Sequence, residues 1–328
     1  MATFREKFEA GLSARGIGVT HDPDEADAAI LVIAGTKNLL PLWRAKRRGA
    51  RIVQRLDGIN WIHRKRNTGW RHYIRAEYGN FILSFIRRNL ADRILYQSEF
   101  VKKWWEDWYG APRAFSTVVH NGVDLNLYAP VGQIANLSET QFGNLRYRLL
   151  VVEGSLGGGY DMGLDNAIQL AETLNEKHGL PMQLVVVGKI SDEHRARVDS
   201  KARVPIEWLG VVPRERIPEI DRSAHLLFSA DLHPACPNAV IEALACGLPV
   251  VAFDTGAVKE LVIGDSGRAV AYGGNPWNVD PPDIPALAAA SAEILRDLPR
   301  FRSAARAHAE SALGLDKMVD GYLRALLE

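Results

Sequence analysis

Glu242 is the residue whose surroundings most clearly suggest chemistry. It lies in the segment Asn238 to Cys246, which has the composition of a short apolar helix, and Gly247 follows where a left-handed helix end is expected. Leu248 to Phe253 is then a nearly continuous apolar run, which predicts a strand covered on both faces. A carboxylate in such surroundings must be paired or must face a ligand. We expect Glu242 to contact a ligand, and the alternative is a buried ion pair.

A glycine-rich stretch that begins at Gly154 suggests a phosphate site. It follows a predicted strand and precedes a predicted helix, and glycines in such a loop let backbone amides approach a phosphate. Lys189, after a strand that ends at Gly188, can supply a cation, and an ordinary loop lysine is the alternative. The candidate contacts within the loop are Gly154, Ser155, Gly157 and Gly158.

A second turn of the same kind runs from Thr255 to Leu261, after the apolar run that begins at Leu248. A glycine-containing turn that opens a helix at the carboxyl end of a parallel strand is a general ligand position. The backbone amides of Gly256 and Ala257 are the candidates, and simple helix initiation is the alternative.

Together these segments resemble the donor site of the retaining family-four glycosyltransferases. The family pattern is a Glu, seven residues, Glu-Ala, a small-residue helix end and Gly-x-Pro-Val-Val, which Glu242-Ala243 and Gly247 to Val251 match. The resemblance implies that Glu242 hydrogen-bonds the ribose hydroxyls of a nucleotide-sugar. The first Glu of the pattern falls at Pro234, and the Arg and Lys of the family's phosphate loop fall at Ser155 and Met162.

Other polar residues lie close to these elements in the sequence. Asp231 and His233, which lie just before the position of the missing Glu, are candidates to contact the sugar hydroxyls of the donor, with an ordinary loop role as the alternative. Asn238 is either a donor contact or the cap of the helix that carries Glu242.

The first half of the chain offers candidates for the acceptor side. Asp57 follows the predicted strand Arg51 to Leu56 and can orient an acceptor, or it can pair with Arg55 or Arg64. Because it stands at the carboxyl end of a predicted parallel strand, its side chain is expected at the ligand-binding edge of a sheet.

A short run near residue 120 gives a further resemblance. His120-Asn121-Gly122-Val123-Asp124 resembles the Asn-Gly-Val-Asp element that ends the first domain of the family near its cleft. Asn121 and Gly122 are therefore acceptor-side candidates. The alternative is a tight turn that requires a positive φ.

The elements that must position these residues alternate between strand and helix. Such alternation predicts doubly wound parallel sheets, so the fold class is α/β. The main predicted helices are Phe4 to Arg15, Tyr78 to Asn89, Glu99 to Tyr109, Leu164 to Lys177 and Leu315 to Leu327. The predicted strands are Ile17 to His21, Ala28 to Ala34, Arg51 to Leu56, Arg93 to Gln97, Val118 to His120, Leu149 to Glu153, Gln183 to Gly188, Ile206 to Leu209, His225 to Ser229 and the run from Leu248.

The resemblance implies the GT-B architecture, in which two Rossmann-like, doubly wound domains face a cleft. We predict an N-terminal acceptor-side domain over residues 1–128, a linker over 129–146, a nucleotide-sugar-binding domain over 147–313, and a C-terminal helix over 314–328 that crosses back to the first domain. The family usually opens with a strand and a glycine-rich loop, whereas Met1-Ala2-Thr3 leads directly into a predicted helix. Either the first domain lacks its first strand or the start has been trimmed.

Composition limits the class of protein. With 328 residues and 47% hydrophobic content, the chain is long enough for two cores. The sequence contains neither an apolar run of membrane-spanning length nor a secretory signal. Its two cysteines, Cys236 and Cys246, are expected to be small buried thiols in a reducing cytosol. We therefore expect a cytoplasmic protein.

The distribution of charge is uneven although the net charge is only +1. Between residues 43 and 75, Lys and Arg far outnumber the single acid, Asp57, and Trp and Tyr are interleaved with them. This stretch, which includes Arg64, Lys65 and Arg66, predicts a surface for an anionic membrane or a lipid-linked acceptor, and a solvated face is the alternative. No recognised nucleic-acid motif accompanies it, so we expect no nucleic-acid partner.

These observations predict a glycosyltransferase that moves a sugar from a nucleotide-diphospho-sugar to a hydroxyl acceptor with retention, in glycan, glycolipid or cell-envelope polysaccharide synthesis. By the resemblance, a donor phosphate oxygen helps to remove the acceptor proton, so no protein nucleophile, cofactor or metal is expected. The alternative is an inactive relative that binds a nucleotide or glycan or scaffolds another enzyme. A nicotinamide-dependent oxidoreductase is disfavoured because Gly154 to Gly159 lacks the Gly-x-Gly-x-x-Gly spacing.

Overall fold

The computed structural model describes residues 2–26, 28–33, 39–131, 138–139, 145–157 and 161–328. Gly158 of the predicted phosphate loop lies outside the described residues, as do 132–137 and 140–144 of the predicted linker.

Helices and strands alternate along the first part of the chain. They are α1 (Ala2–Ser13), β1 (Ala29–Ile33), α2 (Leu40–Arg48), β2 (Arg51–Leu56), α3 (Trp70–Asn89), β3 (Arg93–Tyr96), α4 (Glu99–Tyr109) and β4 (Phe115–Val118), with a short 3-10 turn at Ile62–Arg64.

The second part continues the alternation and ends in three helices. Its elements are β5 (Ser138–Glu139), β6 (Leu145–Ser155), α5 (Met162–His178), β7 (Met182–Lys189), α6 (Asp192–Asp199), β8 (Ile206–Gly210), α7 (Ile217–Ser223), β9 (Leu226–Phe228), α8 (Asn238–Ala245), β10 (Val250–Phe253), α9 (Val258–Leu261), β11 (Gly267–Val270), α10 (Ile284–Arg296), α11 (Leu298–Ala312) and α12 (Leu315–Leu327).

The chain forms two compact units, each with its own parallel sheet. Unit 1 joins Met1–Gly122 to Leu313–Glu328, and unit 2 is Val123–Ala312. The sheet of unit 1 has the order β1-β2-β3-β4, and every pairing in it is parallel. The sheet of unit 2 has the parallel order β11-β10-β9-β6-β7-β8, and β5 pairs antiparallel with β6. The predicted α/β fold with two parallel sheets is confirmed.

The core of unit 1 forms where its first helix, α1, and its last helix, α12, pack together against the sheet. Phe4 and Phe8 of α1 pack against Tyr322 of α12, with ring centroids 5.0 and 5.2 Å apart. Val53 of β2 and Leu95 of β3 lie in the same buried cluster. Apolar residues at helical spacing on α1 and α12 thus cover one face of the sheet, as amphipathic helices do.

The core of unit 2 contains the strand that the apolar run predicted. All residues of β10 are buried, as expected for a strand covered on both faces. The next strand, β9, is buried over its full length as well. On the opposite side of β9, Leu149 and Leu150 of β6 are fully buried.

Three element predictions were wrong in detail. Residues 17–20, predicted as a strand, have no regular structure, and the Ile17 amide instead bonds to the Leu12 carbonyl at the end of α1. The strand predicted at Val118 to His120 lies earlier, at β4. Helix α3 begins at Trp70 rather than at Tyr78 and runs for 20 residues.

No helix in the described ranges is long and apolar enough to cross a membrane.

Candidate active site

Glu242 lies on α8, the helix that its apolar neighbours predicted. The residues from Val240 to Ala245 are all buried, and Glu242 is 7% exposed. Gly247 ends the helix with a φ of 70°, and its amide bonds to the Leu244 carbonyl at 3.0 Å. The left-handed helix end was predicted correctly. The cap alternative for Asn238 is wrong, because the N-cap is Pro237 and no side-chain hydrogen bond caps the helix. The donor contact of Asn238 stays a prediction.

Arg214 is the charged partner of Glu242. Its Nη2 lies 3.7 Å from Glu242 Oε1, and it opens the short 3-10 turn Arg214–Arg216 that follows β8. This distance is that of an ion pair rather than of a hydrogen bond. The Nε of Arg214 is buried and has no hydrogen-bond partner among the described residues. The ion-pair alternative for Glu242 is therefore observed, and its contact with a ligand stays a prediction.

Tyr128 and Asp221 lie beside this pair, and both are almost fully buried. Burial raises the pKa of Asp221 well above its usual range, the Glu242 carboxylate raises it further, and a hydrogen bond from the Cys246 thiol opposes the shift. Burial and then Glu242 also raise the pKa of the Tyr128 hydroxyl, while Arg214 opposes this shift. Both shifts favour the uncharged form.

The two cysteines are buried and neither takes part in a disulfide, as predicted. Cys246 follows α8, and burial raises the pKa of its thiol. The thiol form is therefore the stable one, so Cys246 acts as a small buried side chain beside Asp221.

The loop between β9 and α8 is shaped by two carboxyl groups. Glu153 of β6 accepts hydrogen bonds from the backbone amides of Ala230 and Asp231, and the Asp231 side chain accepts from the amides of Leu232 and His233. Removal from water raises the pKa of Glu153 to about 8, and the charge of Asp231 adds to the effect. Burial raises the pKa of Asp231 as well. Asp231, predicted to contact the donor sugar, thus also holds the backbone of its own loop.

His233 is buried in the same loop and stacks on Trp277. The ring centroids are 3.7 Å apart and the planes differ by 19°. Burial lowers the pKa of His233 to about 4, and a hydrogen bond to the Pro276 carbonyl opposes the shift. The Trp277 segment is fixed by a 2.7 Å hydrogen bond from the Tyr272 hydroxyl to the Asp280 carbonyl. His233 is therefore neutral near pH 7 and can act as a hydrogen-bonding group but not as a cation.

Pro234 occupies the place of the missing Glu and contacts the turn after β10. The Pro234 carbonyl accepts a 2.8 Å hydrogen bond from the Ala257 amide. Gly256 has a φ of 60°, and a Cβ there would lie 2.4 Å from Pro234 Cδ. Glycine is required at this position because the two segments approach so closely. The Ala257 amide thus already donates to Pro234, and its contact with a phosphate stays a prediction.

The start of the predicted phosphate loop differs from expectation. Gly154 and Ser155 are the last residues of β6 rather than loop residues, because the strand continues through an irregularity after Val152. Ser155 is paired with Lys189, and the Leu156 amide bonds to the Lys189 carbonyl at 2.9 Å. Lys189 is exposed at the end of β7. The structure thus brings Lys189 next to the predicted loop, which Gly157 continues.

The candidate residues of unit 2 share one edge of its sheet. Because β6, β7, β9 and β10 are parallel, their carboxyl ends open at the same edge, where ligands bind in open α/β sheets. Glu153, Lys189, Asp231 and Gly256 lie at or just beyond those strand ends.

In unit 1, Asp57 belongs to a polar network at the carboxyl end of β2. Arg55 Nη1 lies 2.5 Å from Asp57 Oδ1, and the amide nitrogen of the Gln97 side chain donates to the same oxygen. Asn121 Oδ1 accepts from Arg55 Nη2 at 3.0 Å, and its Nδ2 donates to Gln97 Oε1 at 3.1 Å. Tyr322 of α12 accepts from Arg55 Nε at 2.9 Å. The predicted pairing of Asp57 with Arg55 is observed, and the network unites it with Asn121.

Gly122 lies against two other elements of unit 1. Its carbonyl accepts from Lys7 Nζ at 3.1 Å, and its amide lies 3.1 Å from Met318 Sδ. A Cβ at this position would lie 2.9 Å from the Leu315 backbone. The close approach of α12, rather than a positive φ, explains the glycine.

Arg64 is the last residue of the 3-10 turn, and Lys65 and Arg66 follow it before α3. Arg64 and Lys65 are exposed, and Arg66 is half-buried. Arg64 donates to both oxygens of Glu77, at 2.5 and 2.7 Å, and its guanidinium lies 4.6 Å from the Trp108 ring centroid. Arg64, and then His63, lower the pKa of Glu77 to about 2. The basic surface is therefore tied to α3 by a charged pair.

Within the described residues, no group of three or more His, Cys, Asp or Glu side chains is placed to hold a metal ion. The expectation that the reaction needs no metal stays a prediction.

Family models match both parts of the chain. A model described as Glycosyltransferase Family 4 matches residues 24–127, and one described as Glycosyl transferases group 1 matches residues 158–311. The chain belongs to the family-four glycosyltransferases. The resemblance on which the sequence interpretation depended is thereby confirmed.

Solved structures show the same fold at low identity. Anabaena HepE, solved in complex with UDP-glucose, gives a TM-score of 0.63 at 17% identity and covers 91% of this chain and 78% of that one. The sucrose-phosphate synthase of Thermosynechococcus elongatus gives a TM-score of 0.66 at 17% identity, over 98% of this chain and 76% of that one. This family-four chain therefore has a GT-B-like fold.

Curated relatives match over part of their length. A GDP-mannose-dependent alpha-(1-6)-phosphatidylinositol dimannoside mannosyltransferase of Mycobacterium tuberculosis is 30% identical over 148 residues, 44% of this chain and 37% of that protein. The mannosylfructose-phosphate synthase of Agrobacterium fabrum is 26% identical over 186 residues, 53% of this chain and 38% of that protein. The matches of this family-four chain thus span less than half of those relatives.

Proposed function

We propose that this protein transfers a sugar from a nucleotide-diphospho-sugar to a hydroxyl acceptor with retention of configuration. The observation that carries the proposal is the buried Glu242 on α8, 3.7 Å from Arg214, in a chain that belongs to the family-four glycosyltransferases. A carboxylate has several acceptor positions on its two oxygens and can accept hydrogen bonds from the ribose hydroxyls of a nucleotide while it lies beside a cation.

Cations near the donor diphosphate would stabilise the leaving group. Ser155 and Met162 stand where the family has Arg and Lys, and Lys189 lies next to Ser155 in the sheet. We propose that Lys189 supplies part of the missing charge and that Gly154, Ser155 and Gly157 pass close to the phosphates. Arg214, whose buried Nε lacks a hydrogen-bond partner among the described residues, is the second candidate cation.

The remaining donor contacts belong to the loop that replaces the first Glu. Asp231 and the neutral His233 are proposed to contact the sugar hydroxyls, and Asn238 and Gly256 to border the same site. The fixed backbone of the loop supports this proposal, since sugar binding needs hydrogen-bonding groups in set positions. No step requires a protein nucleophile, because positioning and phosphate stabilisation supply the rate enhancement.

The acceptor is proposed to be a glycan or a lipid-linked hydroxyl, in glycan, glycolipid or cell-envelope polysaccharide synthesis. Asp57, Asn121 and Gly122 form the proposed acceptor side, since the first two share a network in unit 1. The Mycobacterium tuberculosis relative is named a phosphatidylinositol dimannoside mannosyltransferase, which supports a lipid-linked class of acceptor. Residues 43–75, including Arg64 to Arg66, are the proposed contact with an anionic membrane on the cytoplasmic side.

A second candidate function is nucleotide or glycan binding without transfer. Pro234 replaces a Glu of the donor site, and its carbonyl takes the amide of Ala257. If these changes remove the interactions that a transition state needs, a nucleotide can still bind at Glu242 while no sugar is transferred.

Thermal stability measured with a panel of nucleoside diphosphates tests the donor site. One base is expected to raise the Tm of the wild-type protein. Glu242→Gln is expected to weaken the binding of that nucleotide by about 10–100-fold, the equivalent of one charge-assisted hydrogen bond. The matched control is Glu219→Gln, because Glu219 is an exposed glutamate of α7 in the same unit.

Donor turnover then separates the two candidate functions. Release or transfer of sugar by the wild-type protein, lost in Glu242→Gln and kept in Glu219→Gln, is expected for a transferase. Tight nucleotide binding without turnover across a broad acceptor panel would instead select the binding protein. If no nucleotide changes the Tm, the transferase proposal and the nucleotide-binding proposal are both wrong.

A further inference from the structure

Helix α3 presents a row of exposed apolar side chains to solvent. Trp70, Ile74, Tyr78, Phe81 and Phe85 follow one another at intervals of four, four, three and four residues, which places them on one face of the helix. Their exposed fractions run from 69% for Trp70 to 39% for Phe85. Contiguous apolar surface of this kind on a soluble domain marks an interaction site.

The opposite face of α3 explains why the helix is held in this orientation. Ala76, Ile82 and Ile86 are buried, and the last two pack in a cluster with Ile52 of β2. The helix therefore has one apolar face for the sheet and a second one for something outside the chain. An ordinary surface helix has a polar face there.

The charges in the chain segment that contains the row are almost entirely positive. Between Gly58 and Ala91 the only acid is Glu77, and it is paired with Arg64 at 2.5 Å. Arg71 and Arg75 directly follow two residues of the row, and Arg88 comes one turn after Phe85. These three arginines are exposed. A protein partner of ordinary composition needs no such excess, whereas an anionic lipid surface attracts it.

We propose that α3 is an interfacial helix that docks this protein on an anionic bilayer, with Trp70, Ile74, Tyr78, Phe81 and Phe85 entering the headgroup region. Trp and Tyr suit that region because their apolar rings lie against acyl chains while their N–H or O–H groups stay in water. The Ile and Phe side chains add apolar area. Arg71, Arg75 and Arg88 contact lipid phosphates alongside. The inference rests on the proposed function for its purpose, the delivery of a lipid-linked acceptor.

The assignment changes the surface that the sequence suggested. Trp61, within the predicted stretch 43–75, is 5% exposed and belongs to the core. The row on α3 extends ten residues past the end of that stretch, to Phe85. The docking surface therefore follows the helix rather than the basic segment.

Co-flotation of the purified full chain with vesicles tests the proposal. Vesicles of phosphatidylcholine containing about one third phosphatidylglycerol are compared with vesicles of phosphatidylcholine alone. We expect binding to the anionic vesicles only, weakening as salt is added. The double variant Trp70→Ser/Phe81→Ser is expected to bind the anionic vesicles with an affinity at least roughly tenfold lower, because it removes apolar area from the docking surface. It is expected to fold, since both side chains are largely exposed and their loss spares the core. Arg71→Gln/Arg75→Gln is expected to reduce binding and its salt dependence.

The matched control for the apolar pair is Phe115→Ser/Val211→Ser, which removes two side chains of similar exposure elsewhere. Its binding is expected to equal that of the wild type. Light scattering of the same samples measures the molar mass. A dimer that Trp70→Ser/Phe81→Ser dissociates, without vesicle binding, would assign the row to a second copy of the chain and overturn the proposal, as would a monomer that binds neither vesicle. These assays contain no nucleotide. The protein can therefore fail to bind vesicles and still bind a donor nucleotide, or bind vesicles and fail to bind a nucleotide, so the two proposals are tested separately.

Discussion

The carboxyl groups of the candidate site in unit 2 have different surroundings and therefore different roles. Glu242 is held beside a cation, whereas Glu153 accepts backbone amides and lies near the negative charge of Asp231. An ionised carboxylate without a cationic partner is costly when removed from water, so Glu153 retains its proton to a higher pH. Glu153 is therefore a group that fixes the loop carrying His233.

Replacement of Glu153 by Gln should change how stability depends on pH. The pKa of Glu153 is raised from 4.5 to about 8, so the stability that its proton confers is present below pH 4.5 and is lost as the pH rises through about 8. Glu153→Gln stays uncharged throughout. The Tm of the variant relative to the wild type is therefore expected to increase between about pH 4.5 and about pH 9, by roughly 2–4 °C for each kcal/mol regained.

Scanning calorimetry across this pH range checks the expectation, with Glu219→Gln as a control that should show a constant difference. A Tm difference between Glu153→Gln and the wild type that does not vary with pH would contradict the assignment of the raised pKa.

At the scale of elements, helix α12 is joined to the sheet of unit 1 by more than apolar contact. The Tyr322 hydroxyl accepts from Arg55 Nε at 2.9 Å, and the guanidinium of Arg55 lies 4.0 Å from the Phe4 ring centroid. Arg55 is 3% exposed, so its donors need partners within the protein. Tyr322 thereby links the last helix to the strand that carries Asp57.

Tyr322→Phe should destabilise the protein more than the loss of one oxygen suggests. The variant leaves a buried cationic donor without its acceptor, at an expected cost of about 1–3 kcal/mol in the free energy of unfolding. Urea unfolding followed by circular dichroism measures it. Tyr78→Phe, at a position 49% exposed, is the matched control and should change the free energy of unfolding little. Equal stabilities of the two variants would show that the hydrogen bond contributes nothing.

Sequence patterns predicted the elements best where one face or both faces are buried. Strand β2 and helices α4 and α12 begin and end where predicted, because their apolar periodicity is uninterrupted. The start of α3 was missed because the apolar residues of its first turns are exposed and are separated by basic residues. This arrangement breaks the amphipathic pattern of a surface helix. Residues 17–20 have the composition of a strand but do not pair with another strand. Such pairing depends on a neighbouring segment that the local sequence does not specify.

At the scale of the whole molecule, the chain returns to its first unit after completing the second. Residues 313–328 belong to unit 1, although the 190 residues of Val123–Ala312 separate them from Gly122. Helix α12 buries Met318, Val319 and Tyr322 in the core of unit 1. Unit 1 is therefore not a continuous segment and is completed only by the end of the chain.

Truncation after Ala312 should unfold unit 1 while unit 2 stays folded. Burial of three large apolar side chains contributes roughly 5–9 kcal/mol, comparable with the whole stability of a domain. Limited proteolysis with mass spectrometry is expected to digest residues before Gly122 in the truncated protein and to leave 145–312 protected. The full chain, and a variant that lacks only Glu328, are the controls. Protection of both units in the truncated protein would contradict this role of α12.

The sequence by itself determined the family, the α/β fold and the helix that carries Glu242, because these depend on local composition and on spacing along the chain. Only the tertiary structure decided which polar groups meet. Arg214 is 28 residues from Glu242, and Gln97 and Tyr322 are distant from Asp57 along the chain, so no local pattern indicates their contacts. The same holds for the hydrogen bond that the Ala257 amide donates to the Pro234 carbonyl. The pairing of strands and the packing of helices bring such groups together. The shifts in their pKa values follow from the burial that results.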